Sequence, residues 1–347
     1  MANRKNNEEN DCNKSRRDFI KIGSTAALAA MAVKSMPLSA KVLPSTNPVR
    51  HILSLQELSS YQGVFNQLVG TWSNKTLPGH GFNMIALPYP KGPFAYRLLV
   101  NQYNEELTFQ HIDENVANRG FPKDQFVTAI AYQQSIKQIA AEDNPVSGEA
   151  GDKNLDIHHE VGKFLYIKNP QKKGFDIARI AVVPHGDSVL ALGNMSKTAG
   201  MPDVKDFSGL PIATARDINS PYLAPYKYFH EHLFQGVFDP LHPSEYLKSV
   251  NESEDITKTT VFTFDSRNKS GGIKSIPFIN QHAKATEMQS TFYLQELAEL
   301  DENGVPKMRL QYIQLVMLDF FQRGDGEGLI RWPHISVNTL EKVIEPK

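Results

Sequence analysis

The chain has 347 residues, a formal net charge of -1, 40% hydrophobic and 10% aromatic residues, and a single cysteine, Cys12. A near-neutral chain whose like charges form no block beyond its first residues is a poor partner for nucleic acid or an anionic membrane surface. One cysteine gives neither an internal disulfide nor a thiolate cluster, so any metal or cofactor falls to His, Tyr, Met, carboxylates or packing.

In chain order, the first feature is Ser15-Arg16-Arg17-Asp18-Phe19-Ile20-Lys21, followed by a small, weakly apolar run from Ile22 to Val33 and then Leu38-Ser39-Ala40. This stretch resembles the twin-arginine (Tat) export signal of bacteria, with Ile20 in place of Leu as its departure. The order of polar region, short apolar region and small residues predicts cleavage after Ala40. The apolar run is shorter than the ~20 residues a spanning helix needs, and Cys12 does not follow the cleavage point, so no stable membrane anchor is expected. Residues 1–40 are therefore expected to address the protein, through the Tat translocase, to the periplasm or medium. That route carries folded proteins, often with a cofactor inside. Removing 40 of 347 residues leaves 307, enough for one large domain or two modest ones.

Residues 41–67 read as an N-terminal tail with Pro44 and Pro48, ending in a helix from about Ser54 to Leu68. From Trp72 onward the pattern is of short strands. Ala95 to Val100 and Leu107 to His111 flank Tyr103-Asn104-Glu105 as a hairpin; Phe126 to Ile139, Leu155 to Lys168, Phe175 to Val183 and Ser188 to Leu192 follow. Residues 194–250 are rich in Pro, Tyr and His without a sustained period, which predicts a long loop-rich insertion. Strand character returns at Lys258 to Asp265, Ala285 to Leu297, Met308 to Phe321 and Trp332 to Val343. In the Met308 stretch Leu310, Tyr312, Val316, Leu318 and Phe320 share one face, and Arg309, Gln311 and Asp319 the other; Gln314 and Met317 break the rule. Such alternation predicts one covered and one solvated face per strand. Roughly ten antiparallel strands need closure to hide their edges, so a barrel or a strongly bent sandwich is expected, and of these the all-β, closed antiparallel barrel over 68–347 is the fold adopted as the expectation.

Four segments carry the chemistry-bearing residues: Leu68-Val69-Gly70-Thr71-Trp72 with Gly79-His80-Gly81-Phe82-Asn83; Ile157-His158-His159-Glu160-Val161-Gly162; Val183-Pro184-His185-Gly186-Asp187; and Trp332-Pro333-His334-Ile335-Ser336-Val337. The first resembles the L-x-G-T-W opening of nitrobindin and its bacterial heme-binding β-barrel relatives. The second is similar to the family's H-x-E-x-G strand start, through His158, Glu160 and Gly162. The fourth is similar to its H-x-x-V strand, whose His is the axial heme ligand, through His334 and Val337. A longer, peroxidase-like branch is similar in Gly81-Phe82-Asn83, Pro184-His185-Gly186 and Trp332-Pro333-His334. The resemblance spans about Leu68 to Val343 without the insertion. It implies a lipocalin- or nitrobindin-like barrel holding heme b, with His334 as the iron ligand, Thr71, Trp72 and Trp332 around the cofactor, and His158 and His185 as acid/base groups acting on peroxide. Nitric oxide binding without turnover is the alternative it also implies.

The residues themselves leave other readings open. His334 suits a heme ligand, fixed by Pro333 on the last strand, and equally a satisfied core histidine. Neighbours on a strand face opposite sides, so His158 and His159 cannot hold one ion together, whereas His158 and Glu160 share a face. His185 lies in a turn set by Gly186 and Asp187. Arg97 and Arg179 are the cations of the type that O–O cleavage uses. His230, His232 and His242 have a zinc-like composition without the helical H-E-x-x-H spacing. A heme-free, lipocalin-like carrier of apolar ligands would show the same strand alternation.

Overall fold

Among the described residues the hydrophobic alternation resolves into twelve strands: β1 (Gly70–Ser73), β2 (Gly81–Pro88), β3 (Tyr96–Asn118), β4 (Gln125–Asn144), β5 (Asp156–Ile167), β6 (Ile177–Val183), β7 (Asp187–Ala199), β8 (Ile256–Asp265), β9 (Gly272–Ser275), β10 (Lys284–Leu300), β11 (Pro306–Gln322) and β12 (Leu329–Lys342). The computed structural model describes residues 65–76, 81–118, 125–167, 175–183, 186–214, 216–279, 284–324 and 326–343, with backbone alone at 113–118 and 125–126. The Tat-like segment, most of the expected N-terminal helix, His80, Pro184 and His185 lie outside the described residues; Phe65 to Leu68 form a turn.

Ten strands, β2 to β8 and β10 to β12, pair antiparallel in one continuous sheet that closes where β12 meets β2. The closing register is Ile335 opposite Met84 and Val337 opposite Phe82. At one end β1 wedges between β12 and β3, and β9 adds to β7. The expected closed all-β barrel is therefore present, and closure leaves its ten wall strands no long unpaired edge.

The interior is identified by contacts between strands that are not neighbours. Tyr312 on β11 donates to Glu105 on β3 at 2.6 Å, and Arg179 on β6 donates to Gln314 on β11 at 2.7 Å. One end of the barrel is filled with apolar side chains, including Phe65, Leu68, Trp72, Phe109, Phe164, Phe264 and Phe292. The middle is a polar layer built around Glu105, Glu160 and Arg179, all buried.

Three expectations need correction. Tyr103-Asn104-Glu105 is no turn: β3 runs unbroken through it with a bulge at Gln102/Tyr103, because Tyr103 and Glu105 both point inward and are buried. The insertion is 200–255, since β7 continues to Ala199. Nor do all strands present a solvated outer face. The insertion carries α1 (Ala224–Glu231) and α2 (Pro243–Glu252), and it covers the outside of β2, β3, β11 and β12. Phe82 stacks on Phe238 at 5.1 Å and meets Tyr246 edge-on at 4.8 Å. Ile313, Leu315 and Met317 are buried on this outer face, which is why Met317 breaks the alternation, while Gln314 breaks it by facing the polar interior.

Candidate functional site

The second motif begins β5, and strand alternation sends His158, Glu160 and Gly162 into the barrel while His159 faces out beside Gln133. Glu160 is wholly buried. Its Oε1 accepts from Arg179 Nη2 at 2.6 Å and from the Tyr132 hydroxyl, and its Oε2 lies 3.4 Å from His158 Nε2. Burial pushes this carboxyl up, but the Arg179 charge and the contacts with His158 and Tyr132 outweigh it and hold Glu160 at about 2. Arg179 is anchored further by Tyr132, Ser290 and Gln314, with the rings of Tyr132 and Phe292 each 5.4 Å from its guanidinium carbon.

Gly162 explains how Tyr132 reaches this cluster. The two residues are directly opposed across β4 and β5, and a Cβ at Gly162 would lie 2.6 Å from the Tyr132 ring and 2.3 Å from the Ile180 carbonyl oxygen. Only glycine leaves room for the tyrosine to lie across the strand. Gly81 plays the same part for Tyr103, whose ring would meet a Cβ there at 2.2 Å.

A second buried carboxylate, Glu105, has no arginine. It accepts from Gln134 at 2.7 Å, Tyr312 at 2.6 Å and Asn338 at 2.7 Å, and burial raises its pKa against those hydrogen bonds and the charge of nearby His158. Tyr312 also pairs with Tyr103 at 2.9 Å. Two carboxylates with opposite shifts thus form the floor of the barrel's polar half.

Beyond that floor a group of inward side chains is half-exposed, Asn83, Ile85, His158, Val316, His334 and Ser336, while Glu105, Glu160 and Asn338 below them and Leu318 and Trp332 beyond them are buried. His334 is opposite Val316 in the β11 register, as Ser336 is opposite Gln314, so it shares the inward face. Asn83 reaches the same wall from β2, and its buried Oδ1 has no hydrogen-bond partner. An imidazole on a half-buried wall beside Val316 and near Ile85 is of the type that could hold a heme iron, and the unsatisfied Asn83 Oδ1 lies on the same wall. Three concavities of about 560, 530 and 420 Å³ lie elsewhere on the surface, none of them lined by His334.

Of the remaining expected residues, Thr71 and Trp72 separate from this region, whereas Trp332 lies two residues from His334 on the same face of β12. Trp72 is buried at the apolar end, donating to the Leu68 carbonyl at 2.6 Å, and it pairs with Lys342. Eight residues of strand separate Lys342 from His334, about 26 Å at ~3.3 Å per residue. Thr71 faces the other way, onto Thr108. Neither can share a small ligand with His334. Trp332 is buried, stacked on Phe320 at 4.8 Å and packed against Tyr96 and Tyr222, so it seals the insertion onto the barrel. Arg97 is committed to Asp143 at 2.5 Å. In the insertion, His230 bonds Asp239 at 2.8 Å and lies 6.0 Å from the His242 ring; among the described residues no group of three or more His, Cys, Asp or Glu could hold a metal. Sequence reasoning missed Tyr132, Glu105, Tyr312 and Asn338, whose only signal was polar character at inward positions of apolar strands. No described helix is long and apolar enough to cross a membrane.

No protein-family model matches this chain, and no curated protein matches it. Among solved structures it is similar to the crystal structure of Rv2717c from M. tuberculosis, with a TM-score of 0.37 and 13% identity over 83% of this chain and 99% of that one.

Proposed function

We propose that this protein is an exported, nitrobindin-like heme-binding barrel with peroxidase-like chemistry, in which His334 ligates a b-type heme at the half-buried group of inward side chains around it. The observation that carries the reading is the placement of His334: inward, half-buried, on the last strand, beside Val316 and within the same barrel as His158. Heme b would supply a redox-active iron. His334 would hold it, and Ile85 and Val316 would exclude water from its faces. His158, backed by Glu160, is an acid/base group for a bound peroxide; such groups are worth ~100-fold or more in rate. The apolar residues of this wall, Ile85, Leu99 and Val316, favour a second reading, reversible nitric oxide binding without turnover.

Titration of the purified protein with hemin tests the ligand. His334→Ala should weaken hemin binding by more than the ~10–100-fold that losing an outer partner of a metal ligand costs, with the β-type circular dichroism unchanged. His158→Ala should keep hemin. Equal hemin affinity in wild type and His334→Ala would remove the ligand assignment, and no hemin binding by either would favour a heme-free carrier. The export half of the proposal rests on Arg16 and Arg17: the double Arg→Lys variant should stay in the cytoplasm, and its normal export would overturn that half.

A further inference from the structure

We infer that Trp332 and Tyr222 form a path for one-electron oxidation from the barrel interior to the surface, and that aromatic donors too large for the barrel give up electrons at Tyr222. That substrate class deepens the proposed function and rests on it; the path itself does not. Trp332 lies two residues from His334 on the inward face of β12, about 7 Å along the strand. Its indole meets the Tyr96 ring at 4.6 Å and the Tyr222 ring at 6.3 Å, and Tyr96 meets Tyr222 at 5.2 Å. Sealing the insertion onto the barrel needs aromatic area, which phenylalanine also supplies. Three oxidisable rings in contact, running from an inward strand face to a turn of the insertion, add a route for charge.

A ring that loses an electron holds the vacancy only if it also sheds its proton, and of these rings Tyr222 is placed to do so. The Trp332 Nε1–H is held by the Phe320 carbonyl at 3.0 Å, and the Tyr96 hydroxyl by the Tyr222 carbonyl at 2.6 Å. A backbone carbonyl accepts a hydrogen bond without taking the proton, so both rings pass the vacancy on. Tyr226, 6.3 Å from Tyr96, is buried with a hydroxyl that has no partner, which makes it a dead end. Phe320, stacked on Trp332 at 4.8 Å, carries no hydroxyl and is far harder to oxidise. Tyr222 sits half-buried in the short turn Pro221–Leu223, beside the exposed Pro221. Among the described residues its hydroxyl bonds no protein group and is not sealed from water, so solvent can take its proton.

In turnover, peroxide reduced at the His334 site would draw one electron from Trp332. Trp332 takes an electron from Tyr222, whose phenolic proton passes to water and which becomes a neutral radical. A phenol docked on the turn then returns one electron and one proton to Tyr222 and leaves as its own radical. Two such cycles, with the two protons released to water, reduce one hydrogen peroxide to two waters and yield two donor radicals.

The first test uses the full chain without heme. A laser flash ionises tryptophan, and transient absorption follows the tryptophanyl radical and the tyrosyl radical that replaces it. Wild type should convert part of its tryptophanyl signal into tyrosyl signal. Tyr222→Phe, which removes only a hydroxyl without a protein partner, should fold as wild type does and lose that part, while Tyr226→Phe should keep it. Trp72, the other tryptophan, lies at the far end of the barrel and gives all three proteins the same background. No conversion in wild type, equal conversion in Tyr222→Phe, or a matching loss in Tyr226→Phe overturns the path whether or not heme binds. The second test adds hemin, peroxide and a phenol tethered to dextran, a polymer too wide for the barrel. Wild type should oxidise the tethered phenol, and Tyr222→Phe should lose that oxidation at unchanged hemin affinity; equal rates in the two overturn the exit at Tyr222. Protein that binds no hemin ends the heme reading and the donor role with it, and the flash result then decides the path alone.

Discussion

Removing Arg179 should be one of the most damaging single changes in the barrel, and its cost can be worked from the contacts. Arg179 and Glu160 are both buried, 2.6 Å apart. Arg179→Met leaves Glu160 as a buried charge whose neutralising partner has gone, a loss of about 3–5 kcal/mol for pairs of this kind. The acid side gives an independent magnitude. A carboxyl held at about 2 instead of its ordinary 4.5 contributes about 3 kcal/mol at neutral pH, because each tenfold change in proton affinity is worth about 1.4 kcal/mol. The sign follows from the depression: the contribution is complete above pH 4.5 and is lost as pH falls through about 2. Glu160→Gln with Arg179→Met removes both charges while the amide oxygen still accepts from Tyr132, so the double variant should lie within about 2 kcal/mol of wild type. Urea unfolding at pH 7, repeated down to pH 3, measures all three proteins. The double variant should also lack the part of the acid-side decline due to this pair. If Arg179→Met costs under about 1 kcal/mol, or the double variant is no milder than the single, the buried pair is not the electrostatic centre described here.

The other expected outcomes concern neighbouring parts of the same architecture. Glu105 shifts the opposite way, raised by burial, so it removes stability as pH climbs above the ordinary carboxyl value; Glu105→Gln should gain on wild type with rising pH, and a parallel pH profile in urea unfolding counts against it. Gly162→Ala should cost about 3 kcal/mol or more, since its Cβ would lie 2.3 Å from the fixed Ile180 carbonyl oxygen; a thermal midpoint equal to wild type contradicts this. Phe238→Ala deletes the ring stacked on Phe82 and should cost about 3–5 kcal/mol. Limited proteolysis should then cut first within 200–255, and cutting elsewhere would mean that the insertion does not depend on this contact.

The alternation of β11 and the run of strands around it were enough to predict a closed antiparallel barrel, because a period of two fixes which residues share a face and unpaired edges must be hidden. The same local rule put His158 and Glu160 on one side of β5 and His159 on the other. It could not foresee that the 200–255 insertion folds back over β2, β3, β11 and β12, so that Ile313, Leu315 and Met317 are covered on a face expected to meet solvent. Nor could it foresee that Tyr103 and Glu105, in a segment resembling a turn, sit on one unbroken strand. At the site, His334 was visible as a chemically apt residue on the last strand, but a motif carries no distance. Thr71 and Trp72 belong to the same set of motifs and lie at the other end of the barrel from it. The partners of Glu160, Arg179 on β6 and Tyr132 on β4, are brought to it by strand pairing and by the missing side chain of Gly162. Which face a residue takes is decided by its own few neighbours in the chain. What it meets there is decided by strands tens of residues away, and only barrel closure brings those together.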